Sequence, residues 1–149
     1  MHLKVSNLEK SLEFYCGVLG FQITQRYGSQ AAFVSAGGYH HHIGLNTWHS
    51  KNSSKAPTEG VGLYHAAIVY EDRKDLAEIF KRLLDLNYPL TGASDHGVSE
   101  AIYLDDPDGN GIELYWDRPK DQWPINADGG IEMFTNALDV QSLLSELRN

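Results

Sequence analysis

The same succession of strand-like and helix-like runs occurs twice along this chain, and that repetition constrains the fold more than any other feature. "HLKVS" alternates as a strand does, and "SNLEKSLEFYCGVLGF" follows it with the spacing Ser6-x-x-Glu9 of a helix capping box. Leu8, Leu12, Tyr15 and Leu19 then recur at helical spacing, and Gly17 and Gly20 mark the end. "FQITQRY", "QAAFVSAG" and "HHHIGLNTW" are strand-like runs separated by Gly and Ser. After the polar linker "HSKNSSKAPTEGVG" the order restarts with "LYHAAIVY". The helix "EDRKDLAEIFKRLLDLNY" comes next, with Leu76, Phe80, Leu83 and Leu84 on one face, and then "PLTGAS", "SEAIYLDD" and "GIELYWD". The turn "DPDGNG" joins the last two, and its Asn110-Gly111 pair suits a tight hairpin. The expected fold is α+β: two paired βαβββ modules, about 1–49 and 61–117, making one domain over 1–117. Residues 118–149 read as a C-terminal extension in which "ALDVQSLLSEL" has the spacing of a short amphipathic helix. It packs on the core or on a partner chain, so a homo-oligomer is among the arrangements it allows.

Charge removes several functions from consideration. A net charge of -8 argues against nucleic acid as a partner, because phosphate contacts need clustered Lys and Arg. No run approaches the roughly 20 apolar residues that span a bilayer, and "MHLKVSNLEK" has no signal-peptide core, so neither membrane insertion nor export is expected. Cys16 stands alone, which excludes an internal disulfide framework and makes a reducing cytoplasm the expected compartment.

Repeats show which residues occupy equivalent places. His2 of "HLKV" corresponds to His65 of "HAAI", each at the head of the first strand of its module. The runs "IGLNTW" and "IELYW" correspond in turn, which sets Gly44 opposite Glu113. Two half-barrel sheets facing each other would gather His2, His65 and Glu113 into one cup. A carboxylate inside the apolar run "GIELYW" is costly to bury unless it is paired or bound to a cation. Two imidazoles and one carboxylate on one face of a metal leave its opposite face open, the arrangement of non-haem Fe(II) oxygenases.

The paired modules, together with "FYCGVLGF" and "DPDGNGIEL", resemble the vicinal oxygen chelate superfamily over residues 1–117. That superfamily includes glyoxalase I, bleomycin and fosfomycin resistance proteins and the extradiol catechol dioxygenases. The finer likeness is to extradiol dioxygenases of the bacillary catechol 2,3-dioxygenase type. Their signature is matched by His96, Ile102, Tyr103, Asp106, Pro107, Gly109 and Glu113. The resemblance implies a half-open barrel around a metal site, with Fe(II), or Mn(II) in some members, on His2, His65 and Glu113. It implies O2 and a small aromatic diol as substrates, and ring cleavage beside a catecholic hydroxyl pair. Tyr103 is then expected to hydrogen-bond a substrate hydroxyl or the bound oxygen, and His96 to contact substrate.

Glyoxalase I resembles the same scaffold but places a fourth ligand, a Glu, where the internal correspondence puts Gly44 here. Proton abstraction from a hemithioacetal wants a carboxylate at that place, whereas a dioxygenase wants that side free. Residues alternate along a strand, so His40, His42 and Gly44 share one face and His41 and Ile43 the other. His42 is therefore expected to line the cup as an acid or base rather than a ligand, since neutral imidazole suits both tasks. Tyr115, with Trp48, Trp116 and Trp123, is a candidate for an aromatic substrate wall. "DPDGNG" also opens like an EF-hand loop, but it lies between strands rather than helices. The expected function is an extradiol ring-cleaving dioxygenase. The alternatives are a metal-free protein that sequesters an aromatic ligand, as bleomycin resistance proteins do, and a glyoxalase I-like lyase.

Overall fold

The computed structural model describes residues 1–148. The chain divides into two compact units: Met1–Gly62 together with Asp106–Asn110, and Leu63–Asp105 together with the residues from Gly111 on.

In the first unit, β1 (His2–Lys4) leads to α1 (Leu8–Leu12), which continues as a π-helical turn over Glu13–Val18. Then come β2 (Gln22–Tyr27), β3 (Ala31–Ser35) and β4 (Ile43–Asn46). The sheet order is β1-β4-β3-β2, with β1 parallel to β4 and the other neighbours antiparallel. Leu8, Leu12, Tyr15 and Leu19 are buried as the helical spacing predicts, against Val34, Ile43 and Leu45 of the sheet. Burial of each such leucine contributes about 1.5–3 kcal/mol. The start of the helix differs from the capping-box expectation. Asn7 is the N-cap, its side chain accepting from the Lys10 N–H at 3.1 Å. Ser6 is instead taken by Asp108, which accepts from both its N–H and its hydroxyl. Asn caps as well as Ser, so the shift by one residue costs the helix little.

Asp106 organises the segment that carries Asp108. Its carboxylate is 3% exposed and accepts from the Asp108 and Asn110 N–H groups, the Asn110 amide and the Tyr15 hydroxyl. The two motifs "FYCGVLGF" and "DPDGNG" thus meet through the 2.8 Å bond from Tyr15 to Asp106. This replaces the expected Asn110-Gly111 hairpin turn: the loop spans 106–110, and Gly109, at φ +80, is its left-handed residue. Gly111 is the first residue of the following strand.

The second unit repeats the order with β5 (His65–Tyr70), α2 (Arg73–Asp85), β6 (Leu90–Asp95), β7 (Ser99–Asp105) and β8 (Gly111–Asp117). Asp72 caps α2, accepting from the Asp75 N–H at 2.8 Å. Leu76, Phe80 and Leu83 are buried, but Leu84 is exposed and Ile79 takes its place on the apolar face. The sheet order is β5-β8-β7-β6-β9, with β5 parallel to β8 as β1 is to β4, and β9 (Asn136–Ala137) is contributed by the extension. The extension also forms the short helix α3 (Val140–Ser145), with Leu143 fully buried. Arg73 holds α3 in place by donating to the Ser142 carbonyl and hydroxyl and to Glu146. Among the described residues no helix is long and apolar enough to cross a membrane. The chain is therefore α+β, with a four-stranded and a five-stranded mixed sheet built from one βαβββ pattern used twice.

Candidate active site

On β8, Ile112 and Leu114 are buried in the core that contains Leu76, Phe80 and Leu83, so alternation puts Gly111, Glu113 and Tyr115 on the opposite face. Antiparallel pairing then sets Tyr103 of β7 directly across from Glu113. The parallel pair β5–β8 brings His65 alongside Gly111, close enough to reach the same carboxylate. The result is a line of polar contacts. His65 Nε2 lies 2.9 Å from Glu113 Oε2, the Tyr103 hydroxyl 3.0 Å from Glu113 Oε1, and His96 Nε2 2.7 Å from the Tyr103 oxygen. Glu113 keeps 14% of its side-chain surface exposed and His65 31%, so the pair remains open to solvent. The Tyr103 phenol is pushed up to about 12, first by burial and then by the Glu113 charge and hydrogen bond. It stays protonated at neutral pH and acts as a neutral hydroxyl. Tyr115 lies on the face of Glu113, and burial, then Asp117 and Glu113, raise its phenol as well.

The donor chemistry of this pair fits a transition-metal ion. An imidazole nitrogen and a carboxylate oxygen suit Fe, Mn or Zn. Two donors each about 2.1 Å from one ion at a right angle are about 3.0 Å apart. The 2.9 Å between His65 Nε2 and Glu113 Oε2 matches that edge. Among the described residues, however, no group of three or more His, Cys, Asp or Glu side chains is assembled that could hold a metal ion.

In the first unit, His2 heads β1 and pairs with Gly44, just as His65 pairs with Gly111. A Cβ at Gly44 would lie 2.9 Å from the His2 ring, so glycine is required there for the imidazole to pack against the strand. This register corrects the correspondence read from sequence. The residue equivalent to Glu113 is Asn46, two places beyond the glycine in each module. The contacts agree: Asn46 Nδ2 lies 3.0 Å from His2 Nε2. Asn46 Oδ1 accepts from the Trp48 N–H at 3.2 Å, which turns the side-chain amide nitrogen toward His2. His2 Nε2 therefore accepts and carries a lone pair rather than a proton. An amide in place of a carboxylate is no general base.

His40, His41 and His42 precede β4 rather than belonging to it. His42 Nδ1 accepts from the Ala36 N–H at 3.2 Å and lies 3.0 Å from the Ser35 hydroxyl. Because the backbone N–H can only donate, neutral His42 carries its proton on Nε2, the outward nitrogen. His41 stacks edge-on against Phe33, and a cleft of about 430 Å³ here is lined by Thr24, Gln25, Tyr27, Phe33, His40 and His41. Sequence reasoning missed Asn46. Pairing the first and last strands in parallel would have found it, because that sets a glycine opposite each first-strand histidine.

A family model described as the Glyoxalase/Bleomycin resistance protein/Dioxygenase superfamily matches residues 1–114. The chain is 41% identical to a catechol-2,3-dioxygenase of Bacillus subtilis (strain 168) over 145 residues, which is 97% of this chain and 50% of that protein. It thus spans half the length of that relative. It is also 31% identical to a lactoylglutathione lyase of Neisseria meningitidis serogroup A over 75% of this chain and 84% of that one. Among solved structures, a glyoxalase/dioxygenase from Nostoc punctiforme shares the fold, with a TM-score of 0.65 at 16% identity, over 80% of this chain and 89% of that one. The duplicated βαβββ order, the first-to-last parallel pairing in each sheet and the match over residues 1–114 lead to one conclusion: the chain belongs to the Glyoxalase/Bleomycin resistance protein/Dioxygenase superfamily.

Proposed function

We propose that this chain is an extradiol-type dioxygenase that opens the ring of a small aromatic diol with O2. The observation that carries the reading is the line His65–Glu113–Tyr103–His96 on one sheet face, supported by the 41% identity to a catechol-2,3-dioxygenase. In this reading His65 and Glu113 hold Fe(II), with Mn(II) as its substitute, and His2 is the further donor that the family likeness assigns. The metal would supply the centre at which diol and O2 exchange electrons. The residues of the chain do the rest. The neutral Tyr103 hydroxyl and His96 hold a substrate hydroxyl by hydrogen bonds, and Tyr115 forms part of the wall beside them. His42, neutral with its proton on Nε2, would serve as the acid or base.

Oxygen uptake after anaerobic Fe(II) loading, with catechol and 3- and 4-substituted catechols, tests the proposal. Uptake coupled to a yellow ring-fission product supports it; a protein that binds iron but consumes no O2 with any of these diols sinks it. Tyr103→Phe should retain metal and lose about tenfold in kcat, the scale of losing one outer hydrogen bond. His42→Ala should also retain metal but lose about a hundredfold or more, the scale of a general acid. Normal turnover by the His42 variant would remove that residue from the mechanism. The second reading is a lyase, favoured by the 31% identity to a lactoylglutathione lyase over most of its length and opposed by Asn46. Formation of lactoylglutathione from methylglyoxal and glutathione would establish it instead.

A further inference from the structure

The residue after His96 is a glycine at φ +78 whose Cβ, if present, would lie 2.7 Å from the Phe134 ring and 2.9 Å from Pro124. Phe134 belongs to the C-terminal extension, and its ring occupies the space that Gly97 leaves free. The contact brings its backbone to His96. The Phe134 carbonyl oxygen lies 2.8 Å from His96 Nδ1, and the Phe134 N–H donates to the His96 carbonyl at 3.3 Å. Two residues on, β9 continues the sheet from β6, pairing Asn136 with Asp95 and Ala137 with Ser94.

The loop that carries His96 is fixed from its other side as well. The His96 N–H donates to the Ser99 carbonyl at 2.9 Å and the Gly97 N–H to Asp95 at 2.8 Å. Arg118 grips Asp95 through both terminal nitrogens, at 2.6 and 3.0 Å, and donates to the Gly97 carbonyl. These contacts place the ring. The Phe134 carbonyl sets its proton.

A carbonyl only accepts, so a 2.8 Å contact with it requires a proton on His96 Nδ1. The neutral ring then has a bare Nε2, and that nitrogen faces the Tyr103 oxygen at 2.7 Å. The Tyr103 hydroxyl has one proton and two neighbours, His96 Nε2 and Glu113 Oε1. Besides the Phe134 carbonyl, the Thr135 hydroxyl lies 3.4 Å from Nδ1, so the nitrogen left to take up a proton is Nε2, which faces Tyr103. We propose that the Phe134 segment of the extension is a positioning element for His96, locking its Nδ1–H tautomer so that the bare Nε2 faces the Tyr103 hydroxyl. The catalytic consequence rests on the dioxygenase reading, whereas the tautomer itself does not.

The test uses full-length protein labelled with 15N in its histidines, with the His96 signals assigned from a His96→Asn variant. In the metal-free wild type, the long-range 1H–15N imidazole spectrum should show His96 with Nδ1 protonated and Nε2 bare. In Phe134→Ala the ring anchor is lost, and the His96 signals should move toward the Nε2–H form that free neutral imidazole prefers. Phe134→Leu, which refills much of the space, should restore the wild-type pattern. In the iron-loaded enzyme, Phe134→Ala should lower kcat/KM about tenfold at unchanged iron content, the scale seen when an outer partner of a working histidine is removed. A wild-type His96 bearing its proton on Nε2 overturns the proposal. So does a Phe134→Ala protein whose tautomer is unchanged, or one whose tautomer shifts with full turnover. A locked tautomer in a protein that cleaves no diol would leave the positioning intact and fell the dioxygenase reading.

Discussion

On the dioxygenase reading, Glu113→Ala should strip the protein of metal and of diol cleavage while leaving the fold intact. Outer partners of a metal ligand are worth about 10–100-fold in affinity, so loss of the only carboxylate in the His65–Glu113–Tyr103 line should cost more than about a hundredfold. The protein should be isolated without stoichiometric iron, and no diol-dependent O2 uptake should remain. Stability should change little, because the vacated face is open: His65 keeps 31% of its side-chain surface exposed, and water can replace the carboxylate oxygens. Glu113→Gln is the informative companion. It keeps an acceptor for the Tyr103 hydroxyl but lacks the charge that holds a divalent cation. Metal analysis after anaerobic loading, together with a thermal melt, separates loss of ligand from loss of fold. A Glu113→Ala protein that retains one equivalent of iron would require a different ligand set.

Asp106→Ala should have the largest effect on stability. The carboxylate is 3% exposed and accepts four hydrogen bonds, one from the fully buried Tyr15. Hydrogen bonds to a charged group contribute about 1.5–3 kcal/mol each, and donors left unsatisfied in the interior cost about 1–3 kcal/mol. The loop can recover part of this by turning its N–H groups to water, so a net loss of about 3–5 kcal/mol is expected. For a chain of this size that lowers Tm by about 10 °C. Tyr15→Phe should lose less, and the double variant should fall short of the sum, because both changes remove the same bond. A drop below about 2 °C for Asp106→Ala would mean that this loop does not hold the first unit together.

The element order was legible from spacing alone. Leu8, Leu12, Tyr15 and Leu19 are buried on one helical face, and the run "GIELYWD" is one strand with Ile112 and Leu114 turned into the core. The histidines at the heads of the two first strands were legible too, since a repeat identifies equivalent positions without any knowledge of contacts. Other features were not. Ser6 fits a capping box locally, but Asp108, 102 residues away, takes its hydroxyl, so Asn7 caps the helix. His42 continues the alternation of "HHHIGLNTW", yet the strand begins at Ile43, and the His42 ring is held by Ser35 at the end of β3 and by the Ala36 N–H. Similar spelling of "IGLNTW" and "IELYW" suggested Gly44 as the counterpart of Glu113. Strand register makes it Asn46.

What this sequence determines by itself is which residues lie on which face of which element, because helical and strand periods are local properties of the backbone. It also carries the family likeness, in "FYCGVLGF" and "DPDGNGIEL"; in the second, Gly109 is the left-handed turn residue and Asp106 accepts the N–H groups of the loop. What only the tertiary structure decided is which polar groups meet. His2 with Asn46, His96 with Phe134 and Tyr15 with Asp106 are separated by 44, 38 and 91 residues. Whether two such groups meet depends on strand register and on where loops dock. Both are set by burial of the whole apolar set at once, and no local pattern encodes that.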